Sequence, residues 1–322
     1  MRRRAFLGAV AALVATPAAT VARAAYPSRP LRMVVPFPPG GNADLLGRLV
    51  AERLGLALGQ PVVVENRPGA SATVGTDAVA RSAPDGHTLV LANNLGMATA
   101  PLLYGSVAYR PLEDFVHVFL IGAFPNALLV RADHAAASLE AFIAMARAAP
   151  GRMTYGSAGP GSAGHLVGEM LAQRIGAELV HVPYKGVGPA MTDLVAGRID
   201  AMFDGMPTAT VHARSGRVRM LAVTGPRRAT GFPEVPTLAE AAPGVEGSVW
   251  FGVSVPAGTP REAIERLERE GRRLLGAPDM RARLAELGVE GEPMFAADFG
   301  RFVDAEICKW EPVIRTTGLK AQ

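Results

Sequence analysis

The sequence of 322 residues predicts an α/β protein of two lobes, each a mainly parallel sheet flanked by helices. Apolar strand patterns and amphipathic helix patterns alternate along most of the chain, and this order is typical of parallel sheets. The length is sufficient for two domains of roughly 150 residues each. In each half of the chain, one strand also ends in a loop rich in glycine and proline that leads directly into a helix.

The first segment, residues 1–24, has the order of a signal peptide. Three arginines precede a short apolar run, and the segment closes with an A-x-A cleavage pattern. Residues 3–7 also fit the twin-arginine export motif R-R-x-F-L, so both this route and the Sec route stay open. The apolar run is shorter than the roughly 20 residues that a membrane-spanning helix needs. We therefore expect export to the periplasm and cleavage after residue 24.

Charge excludes one class of partner. Of the 33 basic side chains, four lie within residues 1–24, which leaves 29 against 29 acidic side chains in the predicted mature chain. A nucleic-acid-binding protein needs a basic surface, and no such excess is present. We expect no nucleic acid to bind.

The first lobe begins with three strands and two helices in strict alternation. Short apolar runs predict the strands, and apolar residues at helical spacing predict the helices. The strands are expected at 31–37, 61–67 and 88–93, and the helices at 44–58 and 76–83.

The second lobe repeats this alternation. Ser138 is the expected N-cap of its first helix, and Gly197 is the expected stop of its third. The strands are expected at 127–131, 153–157, 178–184, 199–204 and 218–224, and the helices at 138–149, 165–175 and 188–197.

The chain then returns to the first lobe. A proline-rich passage precedes a strand at 249–258 and helices at 261–276, 279–288 and 297–314, and Thr259 to Glu262 fit a capping box. The crossings between the lobes are expected near 117–124 and 246–252, and two such segments make a hinge. The predicted domains are the signal peptide 1–24, lobe 1 at 25–122 plus 248–322, and lobe 2 at 123–247.

The two loops, PFPPGGNAD at 36–44 and YGSAGPGSAGH at 155–165, are candidate anion sites. Glycines let the backbone approach a ligand, and the first turn of a helix offers free N–H groups with partial positive charge. Facing each other, the two loops would hold a small carboxylate without any arginine. Asp44 has two interpretations, ligand contact or stabilisation of its own helix.

Two sharper interpretations of the second loop fail. Gly159 to Gly164 fit G-x-G-x-x-G, but the acid that a dinucleotide site needs about 20 residues later is missing. Neither Ser157 nor Ser162 fits the hydrolase pattern G-x-S-x-G, and His165 is too close in sequence to serve as their base. The six histidines and the single cysteine form no metal-binding pattern. We expect no catalytic residues, no metal and no cofactor.

Several long segments in the same order resemble the Bug-type extracytoplasmic solute-binding receptors of tripartite tricarboxylate transporters. They include YPSRPLRMVVPFPPGGNAD, VVVENRPGA, PDGHTLVLAN, HVPYKGVGPAMTDLVAGRIDAMFD and FPEVPTLAEA, together with the two loops, RMLAVT, VPAGTP and KWEPVI. The resemblance covers essentially the whole mature chain. It implies a two-lobed periplasmic binding protein of type II that closes on its ligand like a Venus flytrap.

The resemblance also implies a ligand site on both loops and on strand ends beside them. Asn42, Asn94 and Gly205 fall at positions that vary among relatives, so the identity of the carboxylate stays open. The positions that match the family's site are Phe37, Pro38, Gly41, Asn42, Asp44, Asn93, Asn94, Ser157, Gly159, Gly161, Ser162, His165, Tyr184 and Asp204.

The resemblance implies a monomeric receptor that captures a small carboxylated metabolite and delivers it to the membrane permease subunits of a tripartite transporter. The ligand classes it implies are dicarboxylates, tricarboxylates, acidic amino acids and aromatic acids. Two alternatives stay open: a receptor that passes its ligand to a signalling partner, and an exported enzyme acting on a carboxylated substrate.

Overall fold

The computed structural model describes residues 26–317, so the predicted signal peptide lies outside the described residues. The described chain alternates strands and helices as the sequence predicts. The strands are β1 Leu31–Val35, β2 Val62–Asn66, β3 Thr88–Asn93, β4 Phe115–Arg131, β5 Thr154–Ser157, β6 Val180–Pro183, β7 Ala201–Gly205, β8 Val218–Val223 and β9 Ser248–Pro256. The helices are α1 Asn42–Leu58, α2 Thr73–Ala80, α3 Ala100–Tyr104, α4 Leu139–Ala148, α5 Ala163–Ile175, α6 Val187–Val195, α7 Met206–Arg214, α8 Leu238–Ala241, α9 Arg261–Gly276, α10 Pro278–Glu286 and α11 Ala297–Thr317. A π-helical segment, Leu95–Thr99, precedes α3.

The strands form one sheet in the order β2-β1-β3-β9-β4-β7-β5-β6, with β8 also paired to β4. Parallel pairs lie towards both ends of the sheet, where β1 pairs with β2 and β3, and β5 pairs with β6 and β7. Antiparallel pairs lie in the middle, and all of them involve β4 or β9. The predicted α/β class is confirmed. Lobe 1 is built on β1, β2, β3 and β9, and lobe 2 on β5 to β8.

One long strand joins the two lobes. In β4, residues 115–125 pair with β9, and residues 126–130 pair with β7. Register shifts interrupt the pairing of β4 with β9 between His117 and Phe119 and between Leu120 and Gly122. Because β4 is continuous across residues 122 and 123, no loop marks a boundary there. The lobe boundaries stay a prediction.

The helices pack on the sheet with the apolar residues whose spacing predicted them. In lobe 1, Leu46, Val50 and Leu54 of α1 are buried in the same cluster as Met33 and Leu91 of the sheet. Lobe 2 has its own cluster, which joins α4 and α5 to β5 and β7. The first cluster also includes residues of lobe 2, such as Met202 of β7 and Ala209 of α7, so it is shared by both lobes, whereas the second cluster lies within lobe 2.

Three short helical segments were not predicted from the sequence: the π-helical segment with α3, α7 and α8. The α7 sequence MPTATVHAR contains three β-branched residues, which are weak helix formers. Met206, Thr208 and Ala209 are nevertheless buried in α7, so packing stabilises this helix.

The predicted capping box at the start of α9 is wrong, whereas the N-cap at Ser138 is confirmed by its hydrogen bond from the Ala141 N–H. The helix α9 begins at Arg261, and its N-cap is Pro260. The Thr259 hydroxyl donates at 2.8 Å to the Pro256 carbonyl instead. The Thr259 hydroxyl therefore stabilises the turn after β9 and does not cap α9.

The C-terminal helix α11 packs mainly on lobe 1, and its far end reaches lobe 2. Trp310 is buried in a cluster with Ala98 of the π-helical segment and Leu166 of α5. The indole N–H groups of Trp250 and Trp310 both donate to Glu306 Oε2 at 3.2 Å. Within residues 26–317, no helix is long and apolar enough to cross a membrane.

Candidate ligand-binding site

Two loops from opposite lobes meet across the cleft, and each leads into a helix. In lobe 1 the loop after β1 ends at Gly41, the N-cap of α1. In lobe 2 the loop after β5 ends at Ser162, the N-cap of α5, whose hydroxyl accepts a hydrogen bond from the His165 N–H at 3.3 Å. The first turns of both helices point N–H groups with partial positive charge towards the cleft. This arrangement favours an anion.

Two further helices begin at the same place. Gly186 is the N-cap of α6 and Gly205 is the N-cap of α7. A Cβ atom on Gly205 would lie 2.4 Å from the Phe124 ring and 2.9 Å from Asn42 Nδ2, so only glycine permits this approach of the lobes. Four helix N-termini therefore surround one point between the lobes.

A cavity of about 50 Å³ lies between these helix starts. It has room for only a few water-sized groups. Residues of both loops form its wall together with strand ends of both lobes. Six predicted site residues line it: Phe37, Pro38, Gly41, Asn42, Asn94 and Ser162.

Other wall residues were missed by sequence reasoning, among them Asn126, Val187, Phe203, Val249 and Phe251. Asn126 had a usable signal, because it is a polar residue inside the apolar strand β4. Val249 and Phe251 alternate along β9, so their side chains share one face. Which face meets the cleft depends on the sheet order, and the sequence does not show this order.

Two carboxamides in the wall have free donors. Asn94 and Asn126 are each 3% exposed. Within the part of the chain that the structure describes, the Nδ2 atoms of both are buried and have no hydrogen-bond partner. A buried amide without a partner costs free energy, on the order of 1–3 kcal/mol. An acceptor bound beside these two residues of the cavity wall would remove this cost.

The cavity wall has no charged side chain among the described residues. Phe37, Phe203 and Phe251 contribute rings, and Val187 and Val249 contribute aliphatic groups. Negative charge in the cavity would therefore be compensated by N–H and NH₂ groups rather than by arginine or lysine. The described residues also contain no cluster of histidine, cysteine or acids that could hold a metal ion.

Two predicted site residues of lobe 1 have other partners. The Asp44 carboxylate accepts hydrogen bonds from the Gly40 N–H at 3.1 Å and Asn66 at 3.0 Å, and pairs with Arg48 at 2.9 Å. Burial raises its pKa, but these hydrogen bonds outweigh burial and hold the pKa below its usual range. Asn93 Oδ1 accepts from the Gly96 N–H at 2.9 Å at the start of the π-helical segment. Both side chains support the loops from outside the cavity wall.

Asp204 lies behind the wall, in a contact between the lobes. Its side chain is fully buried, and Asn42 Nδ2 of lobe 1 donates to Asp204 Oδ1 at 2.7 Å. Thr208 Oγ1 lies 2.5 Å from Asp204 Oδ2 and 2.9 Å from Asn42 Oδ1. Burial raises the pKa of Asp204 to about 6, although hydrogen bonds from Thr208, Asn42 and Gly205 oppose the shift. Asp204 thus positions Asn42, which does line the cavity.

Three more predicted residues, Gly159, His165 and Tyr184, line an outer recess of about 600 Å³ that shares Phe37 and Ala158 with the cavity. In this recess His165 Nδ1 accepts from the Gly161 N–H at 3.0 Å. Burial lowers the pKa of His165, and the nearby Glu169 carboxylate opposes this shift. His165 is therefore a neutral acceptor that fixes the loop conformation.

Ser157 contacts a histidine that the sequence did not connect with it. Its hydroxyl lies 2.7 Å from His181 Nε2, and the His181 ring stacks on His165 with centroids 3.8 Å apart. Burial and the neighbouring His165 lower the pKa of His181 to about 3. Ser157 is fully buried, whereas His181 lines the outer recess, and their hydrogen bond ties the loop after β5 to β6.

Gly161 lies where the lobes touch. Its carbonyl accepts from the Thr99 hydroxyl at 2.8 Å, and the Ser71 hydroxyl donates to the adjacent Pro160 carbonyl at 3.1 Å. A Cβ atom on Gly161 would lie 1.8 Å from Leu103 Cδ1. Together with the contact of Asn42 with Asp204, these contacts hold the cleft closed.

Comparison with known proteins shows the family of this chain. The family model described as the tripartite tricarboxylate transporter family receptor matches residues 46–319. Protein BugT of Bordetella pertussis is 41% identical over 311 residues, which cover 94% of each chain.

Two solved structures share both fold and sequence. The periplasmic binding protein BugD is 33% identical with a TM-score of 0.87, covering 92% of this chain and 100% of BugD. Rpa4515 of R. palustris, solved with adipate, is 37% identical with a TM-score of 0.88, covering 92% of this chain and 99% of the other. The two-lobed periplasmic binding protein fold is thereby confirmed, as is a binding rather than an enzymatic role. The chain belongs to the receptor family of the tripartite tricarboxylate transporters.

Proposed function

We propose that this receptor captures a small carboxylate in the cavity between its lobes. The observation that carries the proposal is the pair of buried, unpartnered amide groups of Asn94 and Asn126 beside the first turns of α1 and α5. A carboxylate has about four acceptor sites and suits such a set of donors. The adipate bound to Rpa4515 supports the same ligand chemistry.

We further propose that the protein acts in the periplasm and delivers its ligand to the permease subunits of a tripartite transporter. The family match and the likeness to BugD support this role. Uptake of a radiolabelled ligand by cells with and without the permease genes tests it. Uptake that needs the receptor but not the permease would contradict it.

The binding site is tested by a matched pair of charge insertions. Val187 lines the cavity at the start of α6, whereas Val211 is 51% exposed on α7. Val187→Asp places a negative charge where the carboxylate should lie, at a helix start where the helix dipole favours an acid. We expect this variant to weaken carboxylate binding at least about 100-fold, because like charges at close range repel strongly.

Isothermal calorimetry of the mature chain, after a thermal-shift screen has identified a binding carboxylate, provides the measurement. Val211→Asp is the control and should bind like the wild type. If Val187→Asp binds the acid normally, the cavity is not the site. If no small carboxylate raises the melting temperature of the wild type, the proposed function itself is wrong.

A further inference from the structure

The outer recess adjoins the cavity and is much larger. It encloses about 600 Å³, against about 50 Å³ for the cavity, and the two share Phe37 and Ala158 in their walls. Lobe 1 contributes residues 69–72 to the recess, and lobe 2 contributes residues 158–160 and 183–185. A volume of this size is within the range of small-molecule sites, roughly 300–1,000 Å³. A small acid that approaches from this side therefore meets the recess before the cavity.

The wall of the recess has one positive charge, and it belongs to Lys185. Lys185 is exposed on the loop between β6 and α6, and it forms no ion pair within residues 26–317. The other two basic side chains of the wall, His165 and His181, have pKa values below their usual range because burial disfavours the charged form. Both histidines are therefore neutral at pH 7.

Two acids close to this wall have partners of their own. Asp193 pairs with Arg198 at 2.8 Å and accepts a hydrogen bond from the Tyr184 hydroxyl at 2.8 Å. Glu169 accepts a hydrogen bond from the Tyr155 hydroxyl at 2.6 Å. Neither carboxylate lines the recess, so Lys185 is the charge that an anion meets there.

The groups that attract an anion and the groups that hold it thus lie in different places. The cavity has free N–H and NH₂ donors but no charged side chain in its described wall, whereas the recess has a cation. An opposite charge about 7 Å away in water raises the local concentration of an anion by a factor of about three. This attraction extends over roughly 10 Å at 0.1 M salt and is weaker at higher salt.

We propose that the outer recess is an entry site for the carboxylate and that Lys185 speeds its association without contacting it in the closed cavity. This inference rests on the proposed function, because the carboxylate passes from the recess into the cavity. A charge at the mouth of a cleft acts on the rate of encounter more than on retention. Retention is left to the donors around the cavity.

Stopped-flow measurements of tryptophan fluorescence on the mature chain test this role. Trp310 lies in a cluster with residues of both lobes, so its fluorescence responds to closure. The probe is the tightest-binding acid of a panel of adipate, malate, succinate and hexanoate. At about 20 mM ionic strength we expect Lys185→Gln to associate about threefold more slowly than the wild type, and at about 0.5 M the difference should fall below about 1.5-fold. The dissociation rate should not rise.

Two further variants serve as controls. Arg152 is exposed in the turn before β5, at the end of that strand away from the recess. Arg152→Gln removes the same charge and should associate like the wild type. Lys185→Arg keeps the charge and should keep the association rate.

Three results would overturn the entry role while carboxylate binding stands. They are an unchanged association rate of Lys185→Gln at low salt, an equal slowing in Arg152→Gln, and a slowing that persists at high salt. Faster dissociation from Lys185→Gln would also overturn it, because Lys185 would then contact the held ligand. Absence of binding by every acid of the panel would instead contradict the proposed function.

Discussion

At the scale of single residues, Asp204 couples the contact between the lobes to a proton. The Thr208 hydroxyl has one proton but faces two oxygen acceptors, Asn42 Oδ1 and Asp204 Oδ2. A proton on Asp204 Oδ2 that is donated to Thr208 Oγ1 would satisfy both contacts. The pKa of Asp204 is raised to about 6, which also favours the protonated carboxyl group. Both observations indicate that the folded, closed protein holds this proton more tightly than the unfolded chain.

We expect a stability contribution from Asp204 that depends on pH. Because its folded pKa is raised from 3.8 to about 6, the contribution is fully present below pH 3.8 and is lost as pH rises through 6. The loss is on the order of 3 kcal/mol, since each pKa unit corresponds to about 1.4 kcal/mol. Urea denaturation at pH 4, 5, 6 and 7 measures it.

The variant Asp204→Asn provides the comparison for this experiment. It keeps an acceptor for Asn42 and a donor for Thr208 but cannot titrate. Other carboxyl groups, such as Asp44 with its lowered pKa, titrate identically in both proteins and cancel in the difference. If wild type and variant show the same pH dependence between pH 4 and pH 7, Asp204 does not bind the proton.

At the scale of elements, the loop between β5 and α5 combines an unusual backbone conformation with a close contact. Gly161 has a φ of +74°, and its missing Cβ leaves the space that Leu103 of α3 fills. The loop can therefore reach lobe 1 only with glycine at this position. This requirement belongs to the closed cleft, because Leu103 lies on the opposite lobe.

We expect Gly161→Ala to weaken carboxylate binding at least tenfold, because the added Cβ would lie 1.8 Å from Leu103 Cδ1 in the closed state. Gly216→Ala is the matched control: Gly216 has a φ of +71° and nothing within 4 Å of the Cβ position. Both variants lose roughly 1–2 kcal/mol from the left-handed conformation. Only the first should lose affinity by calorimetry, and the double variant with Leu103→Ala should recover part of it. Equal affinities of the two alanine variants would contradict this role of Gly161.

At the scale of the whole molecule, closure depends on polar contacts that exist only when the lobes meet. A ligand held by both lobes favours the closed state over the open one. The hydrogen bond from the Thr99 hydroxyl to the Gly161 carbonyl also stabilises the closed state. Weakening it should therefore lower affinity without any change in the cavity wall, which does not include Thr99.

For Thr99→Val we expect about a three- to tenfold loss of affinity, because a net hydrogen bond contributes about 0.5–1.5 kcal/mol. The control is Thr73→Val, which removes a hydroxyl that bonds to Ala70 within lobe 1 at 2.7 Å. Calorimetry measures affinity, and small-angle X-ray scattering measures the radius of gyration with and without ligand. An unchanged affinity in Thr99→Val would show that closure does not depend on this contact.

Most of the fold could be predicted from the sequence, because local patterns specify most of its elements. Apolar spacing predicted α1 and α5, and glycines and prolines marked the two loops that meet in the cleft. The helix α7 was not predicted, because several of its residues are weak helix formers and tertiary packing stabilises the helix. The first half of β4 was placed only as a crossing, and its full length depends on pairing with β9.

The candidate site was likewise only partly predictable from the sequence. The sequence by itself determined that two glycine-rich loops precede helix starts, because that motif lies within about ten consecutive residues. Only the tertiary structure decided that Asn126, Phe203 and Phe251 share a cavity with them and that Asp204 turns towards Asn42. These contacts join residues far apart in the chain, and the order of strands in the sheet, rather than any local pattern, brings them together.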